Sequence, residues 1–287
     1  MKLIFISITT LVILFGLLMS ARMWGLGQHY APFEHKFFDG HTETLGFRLK
    51  EIGEATPFLE AHPDLVLWLD VRFSGDKKFY VLNPEMDRFF LKSLEERQKA
   101  NPQTPIFKSG KLQDYTVEEI QAVLPQALPL VDYLEKYPTQ RFIFNIGDNV
   151  SEIHSYMARF IDEHKLVDRV LVQSPIDVVL SATKELRPEF LYGTSQSELM
   201  RLLAFESMWV LPAAPLKGDV LVSPFTLLDR PAFTDQGLGE FTRRNKKAAL
   251  LIDNLDEYVR AKNLAVDLII ASRVDLLPPI LDQRSAP

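Results

Sequence analysis

Asp70 is the first residue whose type and setting point to chemistry. It interrupts the otherwise apolar run Leu65–Val71, the pattern of a parallel strand buried on both faces. A lone carboxylate at the end of such a strand is where a (β/α)8 barrel places its reacting groups. Downstream, Ser74-Gly75-Asp76-Lys77 reads as a turn, and Phe79–Leu82 as a second, consecutive barrel strand ending at Asn83-Pro84. The chain has no cysteine, which excludes disulfides, thiolate metal sites and a cysteine nucleophile. It also has no Gly-x-Ser-x-Gly elbow and no His-x-x-x-His metal pair.

The elements that must position Asp70 alternate along the chain. A strand is expected at Lys36–Phe38, then a helix over Thr44–His62 with Leu45, Leu49 and Ile52 on one face. Further helices are expected at Phe89–Ala100, Ser151–Lys165, Phe233–Asn245 and Asp256–Lys262. Strands fall at Arg141–Ile146, Val167–Gln173, Leu191–Gly193, Met208–Leu211, Asp219–Ser223, Ala248–Ile252 and Leu264–Ile270. Thr116 with Glu119 has capping-box spacing and opens a helix. Strands and helices at this rhythm predict a parallel α/β architecture, a (β/α)8 TIM barrel.

At 287 residues, with 47% hydrophobic and 24% charged residues, the chain fits one such barrel. A net charge of −6 argues against nucleic acid as a partner. The densest basic cluster, Arg243-Arg244 with Lys246-Lys247, reads as the solvated end of a helix. The N-terminus is different: Lys2 precedes an uncharged run, Leu3–Met19, and Arg22 follows. This is a signal anchor or a cleaved signal peptide, and the anchor is preferred because Met19 spoils the small-residue cleavage pattern. Lys2 and the amino terminus favour the cytoplasmic side. The barrel is then membrane-anchored on the extracytoplasmic side, or secreted or periplasmic if the segment is removed. The expected organisation is anchor 1–23, linker 24–35, barrel 36–277 and tail 278–287.

The order of residues resembles the glycerophosphodiester phosphodiesterase family. Trp68-Leu69-Asp70-Val71 stands for its Glu-Leu-Asp-Val, Gly75-Asp76-Lys77 for Lys-Asp-Gly, and Tyr80-Val81-Leu82-Asn83-Pro84 for Val-Val-Phe-His-Asp. Met86-Asp87-Arg88 matches Leu-Asp-Arg, and Ser109–Ile120 resembles Thr-Gly-Arg-Val-x-Asp-Leu-Thr-Leu-x-Glu-Leu. Asn145-Ile146-Gly147 replaces Glu-x-Lys, while Ser174–Asp177, Leu251–Asn254 and Ser272–Leu277 resemble later segments. The resemblance covers residues 36–277 and implies the TIM barrel fold. It also implies cleavage of a glycerophosphodiester to an alcohol and glycerol 3-phosphate, with Ca²⁺ or Mg²⁺ on carboxylates, two histidines moving protons, and Arg and Lys on the phosphate.

Carried over residue by residue, one of these groups survives. Asp70 matches a metal carboxylate; Trp68 and Asn145 replace the other two, Asn83 a histidine and Gly147 the lysine. The family's opening His-Arg-Gly has its nearest counterpart in Phe38-Asp39-Gly40, with His41 beside it as a displaced catalytic candidate. Two readings follow. In the first the barrel is catalytically degenerate, a membrane-tethered binding or scaffold protein. Trp68, Asn83, Asn145 and Asn254 then face a glycerol- or sugar-like ligand, although Trp68 is equally expected as core filling. In the second an active phosphoric diester hydrolase has a rebuilt site, with Asp39, Asp70, Asp148 and Asp253 converging on a cation and His41 as base.

Overall fold

The computed structural model describes residues 2–39, 44–100, 111–227 and 230–285. Eight parallel strands form one nearly closed barrel: Thr44–Arg48, Val66–Phe73, Arg141–Ile146, Val170–Gln173, Leu191–Tyr192, Val220–Pro224, Lys247–Ile252 and Leu268–Ala271. We number them one to eight in that order. Each pairs with its neighbour in the chain except the fifth with the sixth, and the first pairs with the eighth. The seam between the fifth and sixth is held by the N–H of Asp219 donating to the Tyr192 carbonyl at 2.8 Å and the N–H of Val222 to Thr194 Oγ1 at 3.0 Å.

The first strand lies where a helix was expected. In Thr44–Arg48 the apolar side chains alternate, with Leu45 and Phe47 packing outward under the helices and Gly46 and Arg48 facing in. Leu45, Leu49 and Ile52 fit a helical spacing equally well, so periodicity alone picks the wrong element. Gly46 decides it locally: a side chain there would put its Cβ 2.8 Å from the Val66 carbonyl oxygen of the adjoining strand. Lys36–Phe38, expected as the first strand, is a single 3-10 turn. Phe37 and Phe38 join Val66, Leu171, Val220 and Leu268 in the apolar barrel interior. Arg141, at the start of the third strand, donates Nη1 to the Phe37 carbonyl at 2.6 Å and Nη2 to that of Asp64 at 2.5 Å. Residues 36–38 therefore plug the N-terminal end of the barrel.

Phe79–Val81 is not the next barrel strand. It returns antiparallel along Val71–Phe73 and pairs on its other edge with Leu128–Pro129. Five residues, 74–78, separate it from the second strand, far fewer than the dozen or so a parallel crossover needs. The excursion carries a small lobe with its own core of Tyr80, Phe90, Leu94, Leu112, Tyr115 and Ile120. Within it the capping box forms as read: Thr116 and Glu119 each accept the other's backbone N–H at the start of helix Val117–Gln121. Met208–Leu211, expected as a strand, is a turn running into a 3-10 segment at Leu211–Ala213.

The N-terminal segment is one continuous helix, Lys2–Leu26. Its stretch Ile6–Leu26 is long and apolar enough to cross a membrane. The end of this helix and the residues after it are clamped to the barrel. Arg243 donates to the carbonyls of Gly25, Leu26 and Gln28 at 3.1–3.4 Å, and Asn245 Nδ2 to those of Tyr30 and Ala31 at 3.0 Å. Arg244 is buried and donates to the carbonyls of Leu211, Pro212 and Ala214. Glu240 holds both guanidinium groups, Arg243 at 2.7 Å and Arg244 at 2.6 Å. Burial pushes the Glu240 carboxyl up, but these two bonded arginines outweigh it and hold it below the usual glutamate range. The pair Arg243-Arg244 is thus a clamp, not a solvated helix end.

Candidate functional site

Strand pairing fixes what meets at the C-terminal mouth. Asp70 lies opposite Asn145, Asn145 opposite Gln173, and the next inward position is Gly193. One level below, Trp68, Ile143, Leu171 and Leu191 form an apolar floor. Side chains at i and i+2 share a face of a strand, so a single polar residue two past each floor residue builds the ring. Gly193 completes it by yielding space: a Cβ there would sit 1.7 Å from Gln173 Oε1. Gln173 donates Nε2 to the Thr194 carbonyl at 2.9 Å, while its buried Oε1 has no partner among the described residues.

Asp70 is 2% exposed and fully engaged. Its Oδ1 accepts from Trp68 Nε1 at 3.1 Å and from Asn145 Nδ2 at 2.8 Å. Its Oδ2 accepts from Arg48 Nε at 2.6 Å. Three N–H donors, one of them cationic, surround this carboxylate. A divalent cation requires the opposite, several oxygens that accept and none that donate. The residues around Asp70 do not fit such an ion. Among the described residues no three carboxylates or histidines come together as a metal site.

The other carboxylates expected at a rebuilt centre are dispersed. Asp148 is near the mouth but fully occupied: Oδ1 accepts from Gln113 Nε2 at 2.7 Å and Arg72 Nη1 at 3.1 Å, and Oδ2 from the Phe73 N–H at 2.7 Å. Asp39 follows the 36–38 plug, at the opposite end of the barrel. Asp253 is exposed after the seventh strand. His41 lies outside the described residues. Of the ligand-facing candidates, Asn145 is in the ring and Trp68 in the floor beneath it. Asn83 Oδ1 closes a turn on the Glu85 N–H at 3.0 Å, and Asn254 Oδ1 caps helix Leu255–Ala261 on the Glu257 N–H at 2.9 Å.

Comparison with solved structures gives the fold a precedent. A putative glycerophosphodiester phosphodiesterase from Galdieria sulphuraria superposes with a TM-score of 0.60 at 12% identity, over 86% of this chain and 99% of that one. The glycerophosphodiester phosphodiesterase from Agrobacterium tumefaciens gives 0.55 at 14% identity, over 82% and 98%. That from Thermotoga maritima gives 0.54 at 14%, over 84% and 99%. The chain has the glycerophosphodiester phosphodiesterase fold. No protein-family model and no curated protein matches the sequence.

With that fold in place, the counterpart of the opening His-Arg-Gly has to be moved. It belongs at the end of the first strand, which reads Phe47-Arg48-Leu49, so Phe38-Asp39-Gly40 is not its equivalent. Phe47 is buried outward under the helices, and Arg48 points into the mouth. Arg48 is the site residue that sequence reading missed. Its one signal was the polar end of the alternation Leu45-Gly46-Phe47-Arg48. Neither of its Nη groups donates a hydrogen bond in the described structure, and its side chain is 29% exposed. Gly147, where the resemblance implies a lysine, leaves room for Arg72, whose Nη1 lies 2.7 Å from where a Cβ would be.

Arg72 is shared between Asp148 and Asp87, the latter at 2.5 Å. One cation between two carboxylates leaves a negative surplus. Burial, set against the Arg72 charge and added to repulsion from Asp148 and Asp70, pushes Asp87 up to about 6. Between the ordinary value of 3.8 and about 6 the folded state holds the extra proton, so stability falls as pH rises through that window. The protein is expected to be less stable at pH 7.5 than at pH 5 from this group by about 1 kcal/mol. Asp87→Asn, which keeps an acceptor for Arg72, removes that contribution. Thermal melts of both proteins at the two pH values check it: an unchanged pH dependence in Asp87→Asn contradicts the assignment.

Proposed function

We propose that this chain is a membrane-anchored, catalytically degenerate phosphodiesterase-fold barrel that binds a glycerol- or sugar-like ligand with an anionic group, without a divalent cation. The observation that carries the reading is the complete engagement of Asp70 by Arg48, Trp68 and Asn145. Where the fold's chemistry calls for oxygens around a cation, this mouth offers a guanidinium, two amides and an indole N–H. Neither Asn145 nor Gln173 exchanges a proton near neutral pH, so general acid–base catalysis has no agent in the described ring. What the ring can do is bind. Arg48 supplies two unengaged Nη groups for an anion, and the amide of Asn145 offers an acceptor to hydroxyls. The helix Ile6–Leu26 supports the anchor, with Lys2 and the amino terminus on the cytoplasmic side and the barrel outside it.

Glycerol 3-phosphate and glycerol are the probes, titrated by calorimetry into the full chain in detergent micelles. The expected result is saturable binding of glycerol 3-phosphate, weakened about 10–100-fold by Arg48→Met, the range of one charge-assisted hydrogen-bonded anion contact. Arg48→Lys, which keeps the charge, retains part of it. Binding indifferent to both substitutions, or Ca²⁺-dependent hydrolysis of glycerophosphocholine by the unaltered chain, would sink the proposal.

A further inference from the structure

The N-terminal helix carries a consequence for the barrel itself. Its side chains from Ile6 to Leu17 are exposed, so this part projects free of the barrel. Burial begins at Leu18 and Met19 and is complete at Gly25, where a Cβ would come 2.1 Å from the Pro212 carbonyl oxygen. The apolar part between the charged Lys2 and the first half-buried residue, Leu18, is residues 3–17, about 22 Å at about 1.5 Å each. A bilayer's hydrocarbon core is about 30 Å thick. The helix therefore cannot cross it while the barrel stands clear of the surface. The residues of the barrel beside Leu18–Leu26 must enter the interfacial layer.

Those residues suit it. Trp24 is 64% exposed and Trp209 52%, and Met23 and Met208 are exposed with them. The two tryptophans come from distant parts of the chain and are joined by Arg22. Its guanidinium stacks over the Trp209 ring at 4.4 Å and donates Nη1 to the Trp209 carbonyl at 2.7 Å. Trp209 itself is held at φ 63°, a left-handed conformation that costs a non-glycine residue energy and turns this side chain outward. Tryptophan and arginine at the end of an apolar helix are the residues that settle at the headgroup level. The clamp that fixes the helix lies just before the sixth and seventh strands, at the N-terminal end of the barrel.

Resting on the membrane-anchor reading, we infer that Met208-Trp209, with Trp24 and Arg22, is a foot seated in the lipid headgroup layer, so that the barrel mouth opens away from the bilayer. The mouth then samples solutes of the aqueous compartment rather than lipids of its own membrane.

The cysteine-free chain permits a direct test. Met208→Cys, Phe15→Cys and Asp253→Cys are each labelled with a fluorophore in the full chain, reconstituted in phosphatidylcholine–phosphatidylglycerol nanodiscs. Quenching is compared for aqueous iodide, headgroup spin label and acyl-chain spin label. The expected pattern is headgroup quenching with loss of iodide quenching at 208, acyl-chain quenching at 15, and iodide quenching alone at 253. A label at 208 as open to iodide as that at 253, with 15 still protected, overturns the foot and leaves the anchor standing. If 15 is also open to iodide, the anchor fails and the foot with it.

Discussion

Asp70→Ala is expected to destabilise the barrel by about 3 kcal/mol, whether or not Ca²⁺ is present. The substitution removes the acceptor that Arg48 Nε, Trp68 Nε1 and Asn145 Nδ2 share, their only one among the described residues. Trp68 is buried among apolar side chains, so its N–H has no replacement partner. Breaking a buried charge pair by deleting one member costs about 3–5 kcal/mol. Arg48 is partly exposed and recovers some hydration, which places the expectation at the low end. Asp70→Asn should fall between, since the amide retains one acceptor oxygen but turns an NH₂ group toward a donor. The measurement is the denaturant midpoint of each variant with and without chelator. A metal carboxylate behaves differently: chelator would lower the unaltered protein toward the level of Asp70→Ala and leave the variant untouched.

Glu240→Ala is expected to cost about 3–5 kcal/mol and also to release the N-terminal helix. Arg244 is only 4% exposed, and without Glu240 it keeps carbonyl partners but no counter-charge. Arg243 loses the carboxylate that aims it at the end of the helix. Limited proteolysis reads the second effect. Cleavage within residues 27–35 should be slow in the unaltered protein and fast in the variant. Glu240→Gln, which keeps an acceptor, should cost less, about 1–2 kcal/mol. Because the bonded arginines hold the Glu240 carboxyl low, its contribution is present above the ordinary glutamate value of 4.5 and is lost only as pH falls below it. Equal cleavage of variant and parent would show that the helix is held by something other than this clamp.

Much of the barrel was legible because its strands are buried on both faces. Leu65–Val71, Arg141–Ile146 and Ala248–Ile252 are dense apolar runs of five to seven residues, a length that favours strand over helix. Thr44–Arg48 was not legible, since Leu45 and Leu49 also fit a helical face and the close approach at Gly46 exists only once Val66 is beside it. That one misreading carried the site with it. With Thr44–His62 taken as helix, Arg48 was not at a strand end, and Asp39 took a place it does not occupy. That Trp68 and Asn145 stand where the resemblance implies carboxylates was visible in their identities. Their role was not, because it depends on both donating to one oxygen of Asp70 across two strands. The clamp was hidden for a similar reason: a basic pair at a helix end looks solvated until the Gly25 backbone lies against it.

We propose that Asp70 pairs with Arg48 in place of a metal ion. Calorimetric titration of Ca²⁺ and Mg²⁺ into the full chain, with Asp70→Ala and Arg48→Met alongside, tests it most directly. No saturable binding tighter than millimolar is expected in any of the three. Micromolar binding by the unaltered chain, abolished by Asp70→Ala and strengthened by Arg48→Met, would contradict it.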